Sequence, residues 1–192
     1  MKEVWQRIEK WLAENTPEDL IVLNGGASDE EVKNLEEHLS VTFPDDVKTF
    51  YKIHNGQSDD GPYLLDGREL LSLERIKDEW DVWKELLDGG DFEDVESEPE
   101  AGIRKDWWNE KWIPLTYDGS GNHDCLDLAP DNSGTSGQII SFWHDDPDRN
   151  IVANSFREWL ENYADDLEAG LYVYSDEYGG VVRKEDIEDI DE

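Results

Sequence analysis

The chain has 192 residues, with 17 Lys+Arg against 50 Asp+Glu and a net charge of −33. Such a chain repels phosphate backbones and anionic lipid surfaces, which excludes nucleic acid and membranes as expected partners. Cys125 is the only cysteine, which excludes an internal disulfide and any CxxC site. Apolar residues make up 36%, but nine Trp, seven Tyr and five Phe each bring roughly 150–250 Å² of buriable surface, enough for a packed core. The length suits one domain over residues 1–192. No apolar run approaches the ~18 residues of a membrane span. The opening MKEVWQRIEKWL is amphipathic and carries acids, unlike a signal peptide, so a cytoplasmic protein is expected. The negative field favours a basic protein partner, whose encounter it speeds by ~10–10³-fold at low salt. Its alternative use is as a solubility device or a halophile's surface.

In chain order, Val4, Ile8, Trp11 and Leu12 have helical spacing and predict a helix ending near Asn15, before Pro17. Ser28 and Glu31 form a capping-box pair that starts a second helix with Val32, Leu35 and Leu39 inward. Pro44, Asp45 and Asp46 suit the first turn of a third helix, with Val47, Phe50, Tyr51 and His54 along it and Asn55-Gly56 as a left-handed stop. Residues 63–65 and 69–71 flank an Asp66-Gly67 turn and predict a hairpin. A helix then starts at Ser72 and carries Leu73, Ile76, Trp80, Trp83 and Leu87.

Residues 88–100 read DGGDFEDVESEPE and predict a mobile acidic insertion, because like charges in a run repel. Strands are expected over 112–117, 123–128 and 138–144, as antiparallel neighbours. In the last of these, Ile140 and Phe142 share one face while Ile139, Ser141 and Trp143 share the other. A final long helix begins at Ser155 with Glu158 three residues on, and turns Phe156, Trp159, Leu160, Tyr163 and Leu167 inward. A terminal hairpin is expected around Tyr178-Gly179-Gly180, followed by an acidic, frayed tail over 184–192. The order predicts an α+β fold with an antiparallel or mixed sheet flanked by helices.

Several segments together resemble a known family. FPDDVKTFYKIHNG (43–56) is similar to the Leu-Pro to Asn-Gly helix of the SUKH superfamily, with Phe43 in place of Leu. LLSLERI (70–76), WIPLTYDGSGNHDCLDL (112–128), GQIISFWHDD (137–146) and NSFREWLENY (154–163) follow in the family's order. Each piece is unspecific; the ordered set is what carries the resemblance, over about residues 20–175. The resemblance implies a SUKH-like α+β domain without catalytic residues. It implies an immunity protein that neutralises a polymorphic toxin, whose basic domain an acidic inhibitor suits. The alternative it implies is a regulator of cell-wall assembly and glucan synthesis that acts through a cellular partner.

The residues themselves give little chemistry. His38, His54, His123 and His144 form no HExxH or paired spacing, and no metal or cofactor is expected. Asp118, Ser120, Asn122 and Asp124 alternate like the start of a calcium loop, but its sixth and twelfth places hold His123 and Ala129 rather than Gly and Glu. Cys125 sits among acids that raise its pKa, opposite to what a nucleophile needs. Neighbouring tryptophans diverge on a helix or strand, so Trp107 and Trp108 are both buried only beneath two layers. The expected partner-binding residues are Trp107 and Trp108 as aromatic anchors, with Asp118, Asp145, Asp146 and Asp148 as loop charges.

Overall fold

Five amphipathic segments fold as helices where their apolar spacing places them: α1 (Lys2–Asn15), α2 (Asp29–Leu39), α3 (Asp45–Ile53), α4 (Leu73–Gly89) and α5 (Phe156–Glu168), with a short α6 (Lys184–Glu188) behind them. The strands are β1 (Glu69–Leu70), β2 (Glu98–Pro99), β3 (Trp112–Pro114), β4 (Thr116–Tyr117), β5 (His123–Asp127), β6 (Gln138–Phe142), β7 (Asp148–Arg149), β8 (Ile151–Ala153), β9 (Tyr172–Ser175) and β10 (Gly180–Arg183). The computed structural model describes residues 1–17, 20–58 and 60–188.

The central sheet is antiparallel in the order β3-β5-β6-β8. Antiparallel pairs β1-β4 and β9-β10 and the parallel pair β2-β7 surround it. The class is α+β, as the sequence predicts.

Local signals set the helix starts. The Ser28 hydroxyl accepts the Glu31 N–H at 3.2 Å while Glu31 Oε2 accepts the Ser28 N–H at 2.7 Å, closing the capping box. Ser72 and Ser155 cap α4 and α5 in the same way, accepting from the Arg75 and Glu158 main-chain N–H. The Glu158 carboxylate reaches back to the Asn154 N–H, one residue beyond a standard box.

Helices α1, α3 and α5 pack together, and α2 packs against α4. Trp5 stacks on Phe50 at 4.5 Å and donates its indole N–H to the Phe50 carbonyl, and Phe50 meets Phe156 edge-on at 5.1 Å. The packed core therefore reaches past both ends of 20–175: Trp5, Ile8 and Val181 are fully buried.

Alternation and register put His123, Cys125, Ile140 and Phe142 on one face of the central sheet, and Asp124, Leu126, Ile139 and Ser141 on the other. Trp83 of α4 covers the first face, meeting Phe142 edge-on at 4.6 Å. Helix α5 packs against β6 and β8, with Trp159 and Tyr163 beside Asp124 and Ser141 of the second face.

The structure departs from the sequence reading in five places. Helix α3 ends at His54 in extended backbone, not in a left-handed stop. Gly56 does have φ +68°, but its glycine serves packing: a Cβ there would lie 2.5 Å from the Ser72 nitrogen. Asp66-Gly67 forms the expected tight turn, with both residues at positive φ and Leu65 bridged to Arg68, yet the hairpin does not extend. Buried Gln57 takes over the ladder by accepting the Leu64 and Leu70 N–H groups on one amide oxygen, at 2.9 Å each. Glu69-Leu70 then pairs with Thr116-Tyr117.

Residues 88–100 are docked rather than mobile. Phe92 stacks on Trp83 at 6.0 Å, and the N–H groups of Ser97, Glu98 and Glu100 donate to the carbonyls of Lys105, Pro147 and Arg149. The acids of this stretch are exposed, so water and salt screen the repulsion that was expected to free it. Strand β8 gave no sequence signal. Of the frayed tail, residues 184–188 form α6, and positions 189–192 lie outside the described residues.

His123 is 2% exposed. Its Nδ1 lies 2.7 Å from the Thr116 carbonyl and its Nε2 accepts the Trp83 indole N–H at 3.2 Å, an arrangement that suits the neutral ring. Burial lowers its pKa from 6.5 to about 4, against the opposing bond to Thr116 and the charge of Asp118; Arg75 and Arg68 lower it further, and Glu79 lies 4.0 Å away. The unfolded chain takes up this proton near pH 6.5 and the folded chain only near 4. The stabilisation is thus complete above about pH 6.5 and is lost as pH falls towards 4. Urea unfolding of wild type and His123→Gln checks this. The stability advantage of wild type should shrink by about 2 kcal/mol between pH 7 and pH 4.5, and a constant gap would contradict it.

Candidate functional site

Two acidic segments far apart in sequence meet at the β2-β7 pair, where Glu98 stands directly opposite Asp148. Both side chains are exposed, so water and salt screen their repulsion and the pairing persists. Asp145, Asp146 and Asp148 are exposed beside Glu96, Glu98 and Glu100. Among the described residues, no lysine or arginine lies within ion-pair distance of Glu98, Asp145, Asp146 or Asp148; the nearest basic group is the His144 ring, 3.8 Å from Asp145. The edge therefore presents negative charge without a Lys or Arg ion pair among the described residues.

Arg149 holds this edge in place from beneath. It is fully buried. Its guanidinium donates to the carbonyls of Asp146, Asp148 (2.7 Å) and Trp107 (3.0 Å). It also stacks on Phe142 at 4.5 Å and Trp107 at 5.1 Å. No carboxylate neutralises it; burial lowers its pKa to about 10, against the charges of Asp146 and Asp148. Its Nε has no acceptor among the described residues. The charge of Arg149 is thus spent on fixing the 107 and 146–148 backbones; of the carboxylates above, Asp146 accepts the Asp148 N–H at 2.8 Å, while those of Glu98, Asp145 and Asp148 make no hydrogen bond among the described residues.

The expected site residues divide. Asp145, Asp146 and Asp148 lie together on this edge. Trp107 lies over Arg149 and is half-buried. Trp108 is 2% exposed and packs edge-on against Trp80, so core packing removes it from any partner's reach. Asp118 closes its own turn by accepting from the Ser120 and Asn122 N–H groups and from the Asn122 amide. Partial burial opposes ionisation there, but these bonds prevail and hold its carboxyl below the usual range. The Asn122 side chain in turn accepts the His144 N–H at 2.9 Å, which ties the Asp118 turn to the end of β6 beside Asp145.

Sequence reasoning missed Glu98, Arg149 and Trp143. Trp143 is 46% exposed just past the end of β6, although the alternation of 138–144 groups it with fully buried Ile139. Glu98 and Arg149 had no local signal, because their roles depend on a two-residue pairing across 50 positions.

The other groups weighed are engaged elsewhere. Cys125 is fully buried, and burial followed by the neighbouring Asp124 charge pushes its thiol well up. Among the described residues, no three His, Cys, Asp or Glu side chains are arranged to hold a metal ion. No helix among them is long and apolar enough to cross a membrane.

Replacing Arg149 by Met leaves three carbonyls without their donor and should cost about 2–4 kcal/mol of unfolding free energy. Hydrogen exchange should quicken first at the Glu98 and Glu100 amides, which bond to this strand. Uniform loss of protection across the chain would show that Arg149 is not specific to the edge.

Residues 26–162 match the model of the SMI1 / KNR4 family (SUKH-1). The chain is 29% identical over 90% of its length to the cell wall assembly regulator SMI1 of Saccharomyces cerevisiae, covering 41% of that protein. It is 31% identical over 92% of its length to the cell wall biosynthesis/cell cycle regulator smi1 of Schizosaccharomyces pombe, covering 38%. It is 29% identical over 90% to the glucan synthesis regulatory protein of Neurospora crassa, covering 39%. The chain thus spans about two fifths of the length of these relatives. With the family match running from α2 into α5 and across the whole central sheet, this chain belongs to the SMI1/KNR4 (SUKH-1) family.

Proposed function

We propose that this chain is a protein-binding regulatory domain of the cell-wall type, which docks a basic segment of a cellular partner on the acidic edge formed by Glu98, Asp145, Asp146 and Asp148. Trp107 and Trp143 flank the edge as aromatic contacts. The observation that carries the reading is the Glu98–Asp148 apposition. The pair is exposed, stands on a backbone fixed by a buried arginine, and neither carboxylate forms a salt bridge or hydrogen bond among the described residues. Exposed charge of one sign on a fixed backbone suits recognition of the opposite sign. The names of the relatives favour regulation of wall or glucan synthesis over neutralisation of a toxin. The role here is binding, with no catalytic step and no cofactor.

The test compares wild type with a variant carrying Glu98→Gln, Asp145→Asn, Asp146→Asn and Asp148→Asn. Both are immobilised, exposed to fungal lysate and eluted by a salt step, with mass spectrometry of the eluates. Wild type should retain a wall-synthesis or signalling protein that the variant loses, and association of that protein with the variant should be about tenfold slower with a shallower salt dependence. The stability of the variant should stay within about 0.5 kcal/mol of wild type, since all four side chains are exposed. Equal retention by both proteins would rule out the edge. Retention of a basic toxin domain instead would return the immunity reading.

A further inference from the structure

A second feature lies away from the acidic edge. A cleft of about 560 Å³ opens between the β9-β10 hairpin, α5 and the Asp124/Ser141 face of the central sheet. That volume is in the usual range for a bound group, ~300–1,000 Å³. Its walls carry four carboxylates, Asp66, Asp124, Asp165 and Asp166, and two guanidiniums, Arg68 and Arg183.

Both guanidiniums are already engaged. Arg68 donates to Asp124 Oδ1 at 2.9 Å, and Arg183 to Asp166 Oδ2 at 2.7 Å. Asp165 is paired with Arg7 of α1. Asp66 is the carboxylate left over. Among the described residues no lysine or arginine side chain lies within ion-pair distance of it, and its Oδ1 accepts one long bond, 3.3 Å, from the Arg183 main-chain N–H. Asp124 is 8% exposed, and Arg68 reaches only its Oδ1; Oδ2 makes no hydrogen bond among the described residues.

The fold accounts for an amide at position 66 as well as for an acid. Asp66 has φ +52° in a tight two-residue turn before Gly67, where Asn serves equally. An Asn oxygen would accept the Arg183 N–H just as well. The charge at 66 forms no ion pair among the described residues; Arg68 and Arg183 act on it only from beyond ion-pair distance. It is also disfavoured where it stands: burial pushes the Asp66 carboxyl up, and Asp186 of α6 adds to the effect against the pull of Arg68. Burial likewise pushes Asp124 up, against the pull of Arg68, and the Asp66 charge adds to it. An incoming cation would relieve both. Beside the two acids, exposed Val152 and the rim of Trp159 offer an apolar bed for methylene groups.

We propose that this cleft seats one cationic side chain, an arginine or lysine of a protein partner, with its charged head between Asp66 and Asp124 and its aliphatic stem along Val152 and Trp159. The inference rests on the protein-binding reading for the source of that side chain, and on the cleft alone for its chemistry.

The test is a titration of the ¹⁵N-labelled full chain with N-acetyl-arginine amide and N-acetyl-lysine amide, with N-acetyl-glutamine amide and inorganic phosphate as controls. The cationic probes should give saturable shifts confined to residues around 65–68, 124, 141, 152 and 159–166, with a Kd of about 1–10 mM. Asp66→Asn should weaken them about tenfold or more while leaving the rest of the spectrum in place. Asp66→Gly, which the same turn accepts, should do likewise and guards against a folding defect in the first variant. Shifts spread over the acidic surface and unchanged by either variant would overturn the proposal. So would cleft shifts with phosphate, or no shift with the cationic probes at ~20 mM. Such a failure leaves salt-eluted capture on the acidic edge untouched. Conversely, loss of that capture with cleft binding intact would remove the edge and keep the pocket.

Discussion

Strands β5 and β6 are buried along nearly their whole length, and both faces of the sheet must be covered by a chain that is only 36% apolar. Large aromatic side chains meet that requirement, because each covers much area for one residue spent. Trp83, Phe92 and Phe142 close one face, and Phe50, Phe156 and Trp159 contribute to the layer against the other. Helices α4 and α5 are placed by this need, and α1, α2 and α3 are placed by packing on them. The terminal hairpin and the β2-β7 pair then fill the flanks.

Polar groups enter the same interior only with partners fixed in advance. Gln57 replaces ladder bonds, His123 is held neutral between Trp83 and Thr116, and Arg149 bonds three carbonyls and lies on two rings. Unpartnered polar groups in such places are costly. The two features singled out for function are those where the accounting leaves a charge over. One is the exposed Glu98–Asp148 pair on a backbone fixed from beneath; the other is Asp66 at the mouth of a cleft whose guanidiniums are taken. A family that shares a framework while its members meet different partners leaves function to such local residues.

Much of this was readable along the chain. Val4 to Leu12, the Ser28–Glu31 box, the stripe from Leu73 to Trp83 and the Ser155 start each rest on contacts within four residues, and the structure keeps all of them. The exposure of Asp145, Asp146 and Asp148 was legible for the same reason, though Asp148 begins strand β7 rather than lying on the turn. Trp107 and Trp108 were not separable. Adjacent tryptophans have nearly the same local pattern, and which one is buried depends on Trp80, 28 residues from Trp108, and Arg149, 42 residues from Trp107.

The sequence by itself determined helices α1 to α5, the starts at Ser28, Ser72 and Ser155, the Asp66-Gly67 turn, the antiparallel meander and the acidity, because each of these follows from spacing, side-chain chemistry over a few residues, or plain counting. Tertiary structure alone decided that 88–100 is docked, that Glu69-Leu70 pairs with β4, that Glu98 faces Asp148, and that Asp66 and Asp124 share a cleft. Two-residue pairings and buried charges have no period to read. Their energies come from neighbours brought together only when the aromatic core closes.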